Sequence, residues 1–148
     1  MKTPFLISRL IFGGYFLYSG IHHFTQRRAM REAAQSKNVP MADLAVDLTG
    51  AAMVAGGTSI LLGVKPKLGT AAIAGFLLGV SPIMHDFWKE EEPEQRMNQM
   101  INFTKNMALA GGAMALMAIE EPWPVSTPVE KRSRLQRVFR LARNKVAA

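Results

Sequence analysis

The chain contains no cysteine. Disulfides, thiolate metal centres, iron–sulfur clusters and an internal dithiol relay are therefore excluded, and redox chemistry would have to use a bound cofactor or a partner. Charge is scarce over long stretches: Leu44–Val64 carries only Asp47. Histidine is confined to His22, His23 and His85, and no glycine-rich loop precedes a helix in a phosphate-cradling pattern. Met1–Ala34 lacks the several charges of a signal-peptide n-region, and no small-residue cleavage site follows Phe24, so it reads as a membrane span.

What is present is apolar length. Pro4–Phe24, Leu44–Val64, Leu68–Trp88 and Met100–Ile119 each reach the roughly 20 residues that a helix needs to cross a hydrocarbon core about 30 Å thick. The expected fold is an all-α integral membrane protein. Four transmembrane helices form an up-down bundle over residues 1–121, followed by a basic tail over residues 122–148. The 148 residues leave no room for a second folded domain.

The net charge of +7 does not point to nucleic acid, because the cations follow a span. Lys131, Arg132, Arg134, Arg137, Arg140, Arg143 and Lys145 mark a cytoplasmic tail. Leu135, Val138, Phe139, Ala142 and Val146 recur among them at helical spacing, which suits either an amphipathic helix on anionic lipid or a partner, or a solvated tail. With Lys2, Arg9, Lys65 and Lys67 at the same end, both termini are expected in the cytoplasm. Thr25–Asp43 reads as the longest external loop, with Asp43 as helix N-cap, and Glu90, Glu91, Glu92 and Glu94 as a solvated third loop. Small residues at every fourth position, Asp47, Ala51, Ala55, Ser59 and Gly63, then Ala71, Gly75 and Gly79, predict ridges for close helix contact.

The polar residues gather at the outer end. His22-His23 close the first span, Asp47 opens the second, His85-Asp86 close the third, and Gln99, Asn102, Lys105 and Asn106 open the fourth. Gln99, Asn102 and Asn106 share one helical stripe. Because a charge at membrane depth seeks a partner, an Asp47–Lys105 ion pair is expected. Adjacent histidines diverge on a helix and make a poor chelate, so no metal site is expected.

The run from His85-Asp86-Phe87-Trp88 through Gln99 to Gly111-Gly112 resembles the DoxX family of small bacterial four-span membrane proteins. Arg9, Gly20, His23, Pro40, Asp47 and Gly56-Gly57 match further positions of that pattern. The family more often has Glu where Asp47 stands and Lys where His23 stands, and the tail has no recognised counterpart. The resemblance implies a place in the bacterial inner membrane and an association with membrane redox chemistry. Relatives form part of a thiosulfate:quinone oxidoreductase or resemble membrane partners of soluble stress enzymes.

Two functions follow as expectations. One is an auxiliary subunit of a larger membrane electron-transfer complex, not an enzyme on its own. The other is a quinone-binding redox component. In the second, Asp47, His85 and Lys105 are the candidate catalytic groups, and His85, Gln99, Asn102, Lys105 and Asn106 the candidate quinone site.

Overall fold

A computed structural model describes residues 2–127, in which helices and turns account for all the regular structure. The helices are α1 (Lys2–Thr25), α2 (Arg27–Ser36), α3 (Ala42–Leu62), α4 (Pro66–Met84) and α5 (Pro93–Met117), with a 3-10 turn at Phe87–Lys89. Three stretches, Thr3–Thr25, Ala42–Leu62 and Pro66–Lys89, are long and apolar enough to cross a membrane. The helix α5 is long enough, but Glu94, Arg96, Gln99, Asn102, Lys105 and Asn106 make its first half polar, and it is not one of the three. The cationic segment Glu130–Lys145 lies outside the described residues.

Neighbours pack in the order α1, α3, α4, α5. Glycine determines the first contact. A Cβ on Gly57 would meet the Gly13 carbonyl at 2.8 Å, and one on Gly20 would stand 2.7 Å from the Val54 nitrogen. Only glycine lets these backbones approach so closely, and the lost side chains are replaced by backbone contact. Next along, Gly56 faces Ile73, and Gly69 faces Ser59. Of the expected ridges, Ser59 serves the contact with Gly69, but most of the other members do not. Ala51, Ala55, Ala71, Gly75 and Gly79 are exposed, because the interlocking glycines turn the opposite faces inward. Phe16, Met53, Ile60, Ile73, Leu77, Ala113 and Leu116 fill the centre.

One end of the bundle is locked by Arg9, which is only 4% exposed. Its guanidinium donates to the carbonyls of Leu61 (2.7 Å), Pro124 (2.7 Å) and Val125 (3.0 Å), so the charge has three acceptors in place of water. The segment after α5 is thereby folded back beneath the bundle. Trp123 is buried in a T-shaped contact with Phe5, ring centroids 5.2 Å apart, and the Thr127 amide donates to the Leu62 carbonyl at 2.9 Å. Residues 122–127 are therefore packed against the bundle end. Gly63, which ends α3 with a positive φ of 67°, supplies the left-handed cap that this tight turn requires.

At the opposite end, α2 packs on α3 and α1 and faces α4 across a groove. The sequence here reads as a loop, but the structure has a helix. It is a helix because Ala, Met, Arg, Glu and Gln are good helix formers and Arg28 pairs with Glu32 one turn on, at 2.9 Å. Ala34 is buried against Ala42 and Val46, with Met30 and Val39 packed on them. Asp43 does not cap α3. The cap position is Met41, and Asp43 accepts from Arg31 at 3.1 Å.

Candidate functional site

Three ion-pair clusters tie α2 and its exit to the bundle. Asp47 takes a two-pronged contact from Arg27, Nε to Oδ1 at 2.7 Å and an Nη to Oδ2 at 2.6 Å, the geometry that makes arginine–carboxylate pairs directional. Arg31 takes Asp43. Lys37 donates to Asp86 at 2.5 Å and Glu90 at 3.1 Å, and Lys89 reaches Asp86 at 3.2 Å. The Asp86 hydrogen bond, opposed by desolvation and reinforced by Glu90, raises the Lys37 pKa above the usual lysine value.

The expected Asp47–Lys105 pair does not form. Arg27, brought close by α2, is the partner of Asp47, while Lys105 donates to Asn102 one turn back on its own helix at 2.9 Å. Lys105 is exposed and lines a cavity between α1 and α5 with Ser8, Ile11, Phe12, Tyr15 and Leu109. Here the ring of helices is thinly closed, with Phe12 3.6 Å from where a Cβ on Gly112 would stand.

Deeper in this α1–α5 seam is a cavity of about 330 Å³ that brings all three histidines together. His22 and His23 enter from α1, His85 from the end of α4, and Asn106 from α5, with Tyr15 and Tyr18 among the aromatic walls. His22 stacks on Tyr18, their ring centroids 5.9 Å apart. His23 Nδ1 lies 2.9 Å from the Ser19 carbonyl, and His85 Nδ1 lies 2.8 Å from Gln99 Oε1. The Ser19 carbonyl only accepts, so His23 Nδ1 is the donor of that bond and its Nε2 is left for a ligand, while the Gln99 side-chain amide holds His85 through Nδ1. The structure thus gathers His85 and Asn106 at one cavity, with Gln99 directly behind His85. Lys105 stands at the neighbouring opening, Asn102 lines neither space and accepts from Lys105, and Asp47 belongs to the α2 clasp. The sequence places His22 and His23 in the outer polar cluster without naming them as site residues, and Tyr15 and Tyr18 lie outside that reading, although the spacing of three and four residues from Tyr15 to Tyr18 to His22 along α1 is the available signal.

The family model described as DoxX matches residues 5–86, from the start of α1 to just past α4 and more than half of the chain. This chain belongs to the DoxX family. The matched DoxX region contributes the three histidines, while Asn106 and Gln99 lie beyond it on α5. No curated protein and no solved structure matches the chain.

Proposed function

We propose that this DoxX-family protein is a small membrane subunit of an electron-transfer assembly and that it takes the head group of a quinone into the three-histidine cavity. The observation that carries the reading is the joint placement of His22, His23, His85 and Asn106 around one aromatic-walled space. A quinone head is a flat ring with oxygens on opposite edges. It suits aromatic walls with donors and acceptors at the rim. Asn106 can donate to a carbonyl oxygen, and an Nε2 acceptor can receive the hydroxyl of the reduced form. His85, held by Gln99, is the proton-exchanging group of this reading, in place of Asp47. Electrons are exchanged with a partner, since this chain has no thiol. In this reading α5, running beside α4, is the fourth span of a bundle over residues 1–121, with Asn106 facing the cavity. Both termini are cytoplasmic, and the basic tail meets lipid or the partner.

Purification in mild detergent followed by lipid extraction and mass spectrometry tests it. Wild-type protein is expected to retain quinone, and both His85→Leu and Asn106→Leu to lose it while remaining folded. Absence of quinone from the wild type, together with no thermal stabilisation when quinone is added, would refute the reading.

A further inference from the structure

The three-histidine cavity has a second neighbour on the α3–α4 side. Close to the Lys65 turn these helices touch through Gly56 and Gly69, but towards the other end they diverge. A Cβ on Gly75 or Gly79 would meet nothing within 4 Å. The divergence leaves a groove of about 370 Å³ with Val46 on α3, Phe76, Gly79 and Ile83 on α4, and Met30 and Ala33 of α2 across it. His23, Met30, Phe76, Val80 and Met84 line this groove and the histidine cavity alike. The two spaces therefore have a wall in common.

The two neighbours of the histidine cavity differ in polarity. The α1–α5 opening carries the Lys105 ammonium. In the groove the polar side chains are His23 and Thr49. His23 is bonded through Nδ1 to Ser19, and Thr49 donates to the Ala45 carbonyl at 2.7 Å. Everything else facing the groove is hydrocarbon, thioether or glycine.

We propose that this groove holds the isoprenoid tail of the quinone whose head group lies among the histidines, an inference that rests on the function proposed above. A prenylated quinone joins a flat polar head to a branched hydrocarbon chain, and the two adjoining spaces divide in the same way. Two of the shared wall residues, Met30 and Met84, are unbranched and adaptable, so the wall between head and tail can rearrange around a ligand. The bare faces of Gly75 and Gly79 make the trough. A phospholipid is a poorer occupant, because among the described residues no lysine or arginine lines the groove to meet its phosphate.

The test compares binding of a tailless quinone and of the same head group bearing several isoprene units. It uses the full chain in detergent, with free quinone corrected for partition into micelles. Wild-type protein is expected to prefer the prenylated form by about tenfold or more, as burial of several hydrocarbon groups implies. Gly79→Leu fills the trough from α4, and Ala33→Leu fills it from α2 at an exposed position. Each is expected to abolish the preference while leaving affinity for the tailless quinone unchanged. If Gly79→Leu does not fold, Ala33→Leu decides alone. Equal wild-type affinity for the two quinones, or a preference that survives filling of the groove, overturns the tail site but not the head-group reading. Co-purified phospholipid lost on filling the groove, with quinone preference unchanged, also overturns it. Failure of the tailless quinone to bind at all overturns the head-group reading itself, and the tail site with it.

Discussion

Asp47 shows why a charge in a span cannot be paired from sequence position alone. Its level in the membrane was legible, since it opens an otherwise uncharged stretch, and a partner was required. The identity of the partner depended on α2, whose helical path brings Arg27 back to α3 from 20 residues earlier. Asp47→Asn and Arg27→Met are expected to be non-additive in thermal stability of the solubilised protein, whereas Asp47→Asn and Lys105→Met add. Coupling between Asp47 and Lys105 would contradict the clasp. Arg9 is a second case. Sequence placed it among the cytoplasmic cations, but its burial depends on residues more than a hundred positions away. Arg9→Ala leaves three carbonyls without their donor and is expected to cost about 3 kcal/mol. The same change should expose the 122–127 segment to protease. Arg9→Lys should restore only part of the loss, because an ammonium lacks the planar fork that reaches three acceptors.

At the scale of the element, the helices themselves were readable because length and apolarity are local properties, whereas the packing faces were not. Both Gly13/Gly20 and Gly50/Gly57 recur at a spacing of seven, and that period marked the α1–α3 contact more faithfully than the four-residue ridges did. Gly57→Ala should force α1 and α3 apart, since its Cβ would crowd the Leu17 and Gly13 backbone. It is expected to lower stability by about 1–3 kcal/mol, the cost of overpacking. Gly111→Ala, in open space, should be neutral or raise stability by up to about 1 kcal/mol through helix propensity. Thermal denaturation of the two variants side by side measures the contrast, and equal losses would show that the glycine contact is not structural. The amphipathic α2 escaped sequence reading because a ten-residue helix in a polar loop is marginal by itself and forms against the surface it covers.

For the whole molecule, the sequence carried the all-helical membrane character and the gathering of polar side chains at one end. It did not carry the opening between α1 and α5 or the divergence of α3 from α4, which come from how the helices lean once the glycines have set their contacts. The orientation proposed for the bundle follows from charge. Because the native chain has no cysteine, Gln35→Cys and Ser126→Cys report topology without background. In intact cells a membrane-impermeant thiol reagent is expected to label the first and spare the second, and the reverse pattern would invert the bundle. The claim on which the rest depends is that a quinone head group enters between α1 and α5 and reaches the three histidines. Photolabelling of the purified full-length protein with an azido-quinone, followed by peptide mass spectrometry, tests it most directly. Adducts are predicted on the Tyr15–His23 stretch of α1 and the Asn106–Leu109 stretch of α5, displaced by excess unlabelled quinone. Adducts confined to lipid-facing positions such as Leu48 and Leu62, or unaffected by the competitor, would contradict it.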